Sequence, residues 1–167
     1  HSDYLKDGWR VDRDGVVGLL PQAEQFENLA RRLGVSDDTH VVVVPAGVSS
    51  TDFGSAARAY WTFKVFGHDN VSVLDGGYAA WRAFFPGKIE TGAFIAPEPG
   101  NFVAKFNPQY YIGKADVAAY AADPSQATLV DGRNGAQFYA DAKHPKAAEP
   151  GRIPSAILMD QDNAYAA

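Results

Sequence analysis

The residues best placed to do chemistry surround a loop between an apolar run and a helix. Residues 45–54 follow four consecutive valines, 41–44, and precede a segment, 56–66, whose pattern predicts a helix ended by Gly67. Unpaired N–H groups and the dipole at a helix N-terminus give a positive potential that favours anions. Pro45 and Ala46 open the loop, and neither has a nucleophilic side chain. The loop is therefore expected to attract anions.

Two arginines are the candidate substrate-binding residues. Arg58 lies one turn into the predicted helix, where its planar guanidinium would suit a small oxyanion or a carboxylate. It would equally suit a surface position, with its stem covering apolar neighbours. Arg133 follows a second strand-like run, 127–131, and is a candidate substrate-side cation.

Other catalytic chemistries find less support. Ser49-Ser50-Thr51-Asp52 suggests a hydrolase, but it lacks the glycine-elbow spacing, and the sequence ties no histidine to it. The chain has no cysteine, which excludes thiol nucleophiles, thiolate metal sites and disulfides within it. His68 follows Gly67 at a helix end, where capping of free carbonyls is the simplest role. We expect no metal site and no cofactor.

Composition and charge exclude some partners. The formal charge of −5 comes with no basic cluster, so nucleic acid is not an expected partner. No apolar run approaches the roughly 18 residues of a membrane span, so no membrane partner is expected. The opening residues, His1-Ser2-Asp3-Tyr4, carry no secretory signal, which leaves the cytoplasm and the periplasm open.

The periodicity predicts alternating helices and strands. Apolar positions spaced i, i+3, i+4, i+7 predict a helix over 22–33, and the valines 41–44 predict a strand buried on both faces. A second strand is predicted over 71–74. Asp75-Gly76-Gly77 then predicts a turn into a third helix, in which Trp81 is expected to be a core aromatic. This order predicts an α/β fold with neighbouring parallel strands.

The chain changes character after residue 85. Prolines and aromatics, including Phe94, Phe102 and Phe106, predict a linker over 86–113 that is ordered by aromatics laid on a surface. A helix over 115–121 and a strand over 127–131 then begin a second unit. The predicted organisation is a first domain at 1–85, the linker, and a second domain at 114–167 that is too short to be complete.

Seven segments resemble tandem rhodanese-type sulfurtransferases, in order and at the family's spacing. The second-unit segments resemble the family's "DxR" strand end and its "GHIPGA" turn. The segments are Leu19-Leu20-Pro21, Arg58-Ala59-Tyr60-Trp61, Phe66-Gly67-His68-Asp69-Asn70-Val71, Val73-Leu74-Asp75-Gly76-Gly77, Ala80-Trp81, Val130-Asp131-Gly132-Arg133 and Gly151-Arg152-Ile153-Pro154-Ser155-Ala156.

The resemblance implies three-layer α/β domains with a parallel sheet. The chain would hold the closing half of a first domain, the linker and the opening half of a second, completed by other segments of the same protein. The implied activity moves sulfane sulfur from a small anionic donor, thiosulfate or less readily 3-mercaptopyruvate, to a thiophilic acceptor. The persulfide cysteine would lie outside these residues, because Pro45 and Ala46 occupy its position here and first domains of the family commonly lack it. The alternative is a catalytically inactive rhodanese-like module that binds an anion or a protein.

Several residues depart from the family pattern or specify it further. The resemblance implies an internal ion pair between Arg133 and an acid such as Asp131. Gln137 stands where mercaptopyruvate sulfurtransferases carry an arginine for the substrate carboxylate, which favours thiosulfate as donor. Arg152 replaces a histidine, and Ser155 replaces a glycine, which argues against a positive φ at that position.

Overall fold

The computed structural model of the protein describes residues 8–93 and 97–165. These form two units, one ending at Tyr111 and the other beginning at Ile112. Phe94 of the predicted linker and the outermost residues of both predicted domains, 1–7 and 166–167, lie outside the described residues. The division into domains at 1–85 and 114–167 with a linker between them stays a prediction.

The described residues of the first unit form an antiparallel hairpin, three α-helices and a parallel strand pair. Its elements are β1 (Val11–Arg13), β2 (Val16–Leu19), α1 (Ala23–Arg32), β3 (Val41–Val43), α2 (Ser50–Val65), β4 (Val71–Val73), α3 (Gly77–Phe84) and a 3₁₀ turn (Pro108–Tyr110). The hairpin was not predicted. The helix predicted over 22–33 is confirmed, and it buries Phe26, Leu29 and Ala30.

The two predicted strands of this unit pair in parallel, as expected. Val41 lies opposite Val71, and Val43 opposite Val73. Val41 and Val43 pack against the core, but Val42 is 49 % exposed. The expectation of burial on both faces is therefore wrong for the described residues, because alternate side chains of a strand point to opposite faces and only one face meets the core.

An aromatic cluster forms the centre of the core. The ring of Phe26 lies 5.0 Å from those of Phe63 and Phe66 and 5.9 Å from that of Phe102, and Trp9 lies 5.4 Å from Phe26. These separations suit edge-to-face and stacked pairs. Aromatic side chains from α1, from α2 and the residue that follows it, and from the linker therefore pack together, although these segments are far apart in the sequence.

The described part of the linker is fixed mainly by its backbone. Phe102 is 1 % exposed, but Phe106 is 52 % exposed, so one aromatic anchors the segment. The N–H groups of Gly100, Lys105 and Asn107 donate to carbonyls of α1 and α2 or the residues just after them, at 2.7–2.9 Å. Because these bonds satisfy backbone groups against the first unit, the segment is ordered with little regular structure of its own.

Trp81 differs from its expected role. It is 39 % exposed, its ring centroid lies 4.7 Å from that of Phe85 with the two rings tilted, and its indole N–H donates to the carbonyl of Lys88 at 2.9 Å. A tryptophan at a surface can bury much of its ring while its N–H finds a polar partner. The expectation of a core aromatic is therefore wrong.

Up to residue 165, the second unit contains a short parallel strand pair and three helices. Its elements are α4 (Lys114–Ala122), β5 (Val130–Asp131), α5 (Gly135–Phe138), β6 (Ile157–Leu158) and α6 (Gln161–Ala164). The strand predicted over 127–131 is present, but only as Val130–Asp131, which pair in parallel with β6. Helix α4 matches the prediction to within one residue at each end.

The turn before β6 adopts a conformation that the sequence argued against. Ser155 has φ +64°, and the N–H of Ala156 donates to the carbonyl of Ile153 at 3.2 Å. This arrangement is a type II turn, with Pro154 at its first central position and a positive φ required at the second. The chain geometry therefore imposes on Ser155 the conformation that a glycine would adopt without strain.

Candidate functional site

The predicted anion-binding loop is shorter than expected. Helix α2 begins at Ser50, six residues before the predicted start, because the Ser49 hydroxyl accepts a hydrogen bond from the N–H of Asp52 at 3.2 Å. A serine at this position replaces a missing intrahelical acceptor. The loop therefore runs from 44 to 49, with Pro45 buried and Ala46 exposed.

An internal carboxylate occupies the N–H groups that were expected to attract an anion. Asp52 Oδ1 accepts from the N–H of Ala46 at 2.9 Å, and its Oδ2 accepts from the N–H of Gly47 at 2.7 Å. Sequence reasoning missed this role of Asp52. The available signal was the spacing Ser49-x-x-Asp52, which is typical of a capped helix start, as opposed to a hydrolase.

The Asp75-Gly76-Gly77 turn packs directly on this loop. A Cβ at Gly77 would lie 2.4 Å from the carbonyl oxygen of Pro45, and one at Gly47 would lie 2.1 Å from that of Gly76. The N–H groups of Tyr78 and Ala79 donate to the carbonyls of Pro45 and Ala46 at 2.8 and 3.0 Å. The glycines thus permit the close approach of α3, which fixes the start of the loop.

Arg58 is half-buried and held to the hairpin. Its Nη2 donates to the carbonyl of Gly18 in β2 at 3.1 Å, and its guanidinium lies 4.6 Å from the ring centroid of Trp61. A guanidinium over an aromatic face gains electrostatic and packing energy. These contacts give Arg58 a structural position in the first unit; its assignment to substrate stays a prediction.

Arg133 forms the ion pair that the resemblance implied. Its Nε lies 2.9 Å from Asp131 Oδ1, its Nη2 lies 2.6 Å from Oδ2, and the same Nη2 donates to the carbonyl of Gly151 at 2.8 Å. The hydrogen bonds from Arg133 hold the pKa of the Asp131 carboxyl below its usual value. Arg133 also keeps 42 % of its side-chain surface exposed.

A groove of about 650 Å³ in the second unit brings Arg133 and Arg152 to one surface. The guanidinium of Arg152 lies 4.6 Å from the ring centroid of Phe138. The backbone N–H of Gln137 donates to Asn134 Oδ1 at 3.0 Å, at the start of α5. The groove is otherwise mostly apolar, with Ile112, Val117, Leu129, Val130, Pro150, Ile153 and Ala156 in its wall.

His68 is buried and contacts a segment outside the preceding helix. His68 is 2 % exposed, and its Nε2 lies 2.8 Å from the carbonyl oxygen of Thr39, outside the preceding helix. The ring therefore bridges to another segment, and the expected capping of helix carbonyls by the imidazole is wrong.

Within residues 8–93 and 97–165, no group of three or more histidine, aspartate or glutamate side chains could hold a metal ion. No helix in these residues is both long and apolar enough to cross a membrane.

Comparisons with known proteins find a rhodanese-like domain and similarity to sulfurtransferases. The Rhodanese-like domain family matches residues 11–84. The 3-mercaptopyruvate sulfurtransferase of Escherichia coli K12 is 36 % identical over 140 residues, covering 83 % of this chain and 47 % of that protein. A putative thiosulfate sulfurtransferase, SseB of Mycobacterium tuberculosis, is 34 % identical over 147 residues, covering 88 % of this chain and 49 % of that protein.

A solved structure agrees with these relatives. The crystal structure of SseA, a 3-mercaptopyruvate sulfurtransferase of Escherichia coli, matches with a TM-score of 0.69 and 32 % identity, covering 84 % of this chain and 50 % of that one. The chain spans about half the length of the curated relatives it matches. The matches extend across both units. Residues 11–84 therefore belong to the Rhodanese-like domain family, and the relatives that the chain matches are named as sulfurtransferases.

Proposed function

We propose that the full protein containing this chain transfers sulfane sulfur from thiosulfate to a thiophilic acceptor such as cyanide or a thiol. The observation that carries the proposal is the 36 % identity to a sulfurtransferase over 140 residues. In this reaction a cysteine thiolate attacks the outer sulfur of thiosulfate, sulfite leaves, and the acceptor then removes the sulfur from the persulfide. Because the chain has no cysteine, the nucleophile belongs to a segment outside these residues.

In this proposal the two units have different roles. The first unit is a non-catalytic scaffold whose loop at Pro45 and Ala46 stands where an active unit has its cysteine. The second unit opens the catalytic domain, which other segments of the same protein complete. Arg133 is the better candidate for the donor anion, since it lines the groove and is partly exposed, whereas Arg58 is bonded to Gly18.

The choice of thiosulfate rests on Gln137. A neutral amide offers no charge-assisted pair to the carboxylate of 3-mercaptopyruvate, whereas thiosulfate has no carboxylate to recognise. The relatives named for mercaptopyruvate argue for the other donor. The deciding experiment measures kcat/KM of the full-length protein for both donors with cyanide as acceptor.

A Gln137→Arg variant sharpens this comparison. We expect thiosulfate to be the better donor for the wild type, and the variant to gain specifically in kcat/KM for mercaptopyruvate. Arg152→Gln, which removes a cation from the groove that Arg133 lines, is the control for a general charge effect. A wild-type preference for mercaptopyruvate would refute the assignment of thiosulfate while leaving sulfur transfer intact.

The absence of cysteine favours one second candidate, a catalytically inactive rhodanese-like module that binds an anion or a protein. The same assay separates the two. Turnover by the full-length protein with either donor supports the enzyme. Lack of turnover with both donors supports the module.

A further inference from the structure

Asp52 is placed where a bound anion would lie. Its two carboxylate oxygens each accept from a different backbone N–H of the loop, Ala46 at 2.9 Å and Gly47 at 2.7 Å. Consecutive N–H groups that converge in this way form a concave site for an anion. A carboxylate that bridges both groups satisfies the same donors that an oxyanion from solution would need.

The surrounding contacts hold Asp52 in this position. Its own N–H donates to Ser49 Oγ at 3.2 Å, so the side chain projects from the first turn of α2. The carbonyls of Pro45 and Ala46 accept from α3, which fixes the other side of the loop. The negative charge also lies at the N-terminus of a 16-residue helix, where the helix dipole stabilises it.

We propose that Asp52 is a built-in anion that closes the loop of the first unit to external oxyanions such as thiosulfate. The loop keeps the hydrogen-bonding shape of an anion site, but its occupant is part of the chain. The first unit then provides no second binding site for the sulfur donor. If the protein is instead an inactive module that binds an anion, that anion must bind somewhere other than this loop. This inference does not depend on whether the full protein transfers sulfur.

The test is a titration of the isotope-labelled full-length protein with thiosulfate, read from the amide resonances of Ala46 and Gly47. In the wild type we expect neither resonance to move at concentrations that saturate the variant. In Asp52→Ala we expect both to shift in a saturable way, because the two N–H groups then accept an external anion. Asp52→Asn should respond more weakly, since its amide oxygen can still bond one N–H.

Asp37→Ala is the matched control. The Asp37 carboxylate also accepts from a backbone N–H of the first unit, that of Val103 at 2.9 Å, but away from the loop. Its loss should leave the Ala46 and Gly47 resonances unresponsive. The inference is overturned if the wild type responds like Asp52→Ala, or if a folded Asp52→Ala shows no response. Should Asp52→Ala not fold, Asp52→Asn and the wild type decide by the same criteria.

Discussion

The guanidinium of Arg133 and the carboxylate of Asp131 meet through two short contacts, Nε to Oδ1 at 2.9 Å and Nη2 to Oδ2 at 2.6 Å. Arg133 also donates to the carbonyl of Gly151, 18 residues further along the chain. The pair therefore connects the end of β5 with the segment that leads to β6. Two residue pairs join these strands, so the side-chain bridge adds a further connection between the two segments.

Removing the bridge should destabilise the second unit. We expect Arg133→Ala to lower the free energy of unfolding by about 1–2 kcal/mol, the range for bonds to a charged group reduced for partial exposure. Arg133→Lys should recover only part of this, because an ammonium cannot form the two-pronged contact. Urea unfolding of Arg133→Ala, of Asp131→Asn and of the double variant measures the coupling energy between the two side chains. If the two single losses of stability add up to that of the double variant, the pair does not stabilise the fold.

The same pair predicts a pH dependence. The pKa of Asp131 is lowered in the folded protein, chiefly by its hydrogen bonds from Arg133. The stabilisation is therefore fully present above the usual aspartate value of about 3.9 and is lost as the pH falls towards the lower folded pKa. Unfolding curves of Asp131→Asn should lose less stability over this acid range than the wild type. Parallel losses in the two proteins would refute the assignment.

Ser155 offers a stabilising substitution. Its φ of +64° lies in the left-handed region, which costs a residue with a Cβ roughly 1–2 kcal/mol. Ser155→Gly should raise the free energy of unfolding by about 0.5–1 kcal/mol. This gain is smaller than the strain it relieves, because glycine has more conformational freedom in the unfolded chain and that freedom opposes folding. Ser155→Ala is the control that keeps the strain and should bring no such gain. Equal stability of the glycine and alanine variants in urea would show that the strain is absent.

Phe102 tests whether the linker is part of the first unit. At 1 % exposure it packs 5.9 Å from the ring of Phe26, so Phe102→Ala should cost about 3–5 kcal/mol. Phe106→Ala removes an aromatic that is 52 % exposed, four residues along the same segment, and should cost far less. Thermal unfolding followed by a probe in the first unit compares them. Similar small losses would mean that this segment does not contribute to the core.

The sequence predicted those elements in which local pattern and tertiary contacts agree. The periodic apolar stripe of α1 predicted the helix. The short apolar runs at 41–44 and 71–74, each bounded by polar residues or glycine, predicted the parallel pair. The predicted start of α2 is six residues too late, because the Ser- and Thr-rich residues around the cap at Ser49 are also typical of a loop. The full burial of 41–44 was also wrong, because burial depends on what covers each face, which a local pattern does not contain.

The sequence predicts the loop and its N–H groups, but not that the Asp52 carboxylate accepts from them. The strand, loop and helix order indicated converging N–H groups near Ala46, and the motif resemblance indicated the pairing of Arg133. The bonds of Asp52 to Ala46 and Gly47 depend on a side-chain direction that the sequence does not specify. The positive φ of Ser155 follows from the turn around Pro154, which overrides the residue's own preference.

We propose that these 167 residues support a persulfide held on a cysteine elsewhere in the protein, since they contain no cysteine. The most direct measurement is the mass of the full-length protein after incubation with thiosulfate, followed by peptide mapping of the added sulfur. We expect one added sulfur atom, removed by cyanide and located on a cysteine outside residues 1–167. A protein that takes up no sulfur from thiosulfate or from mercaptopyruvate, or whose sulfur maps within these residues, would contradict it.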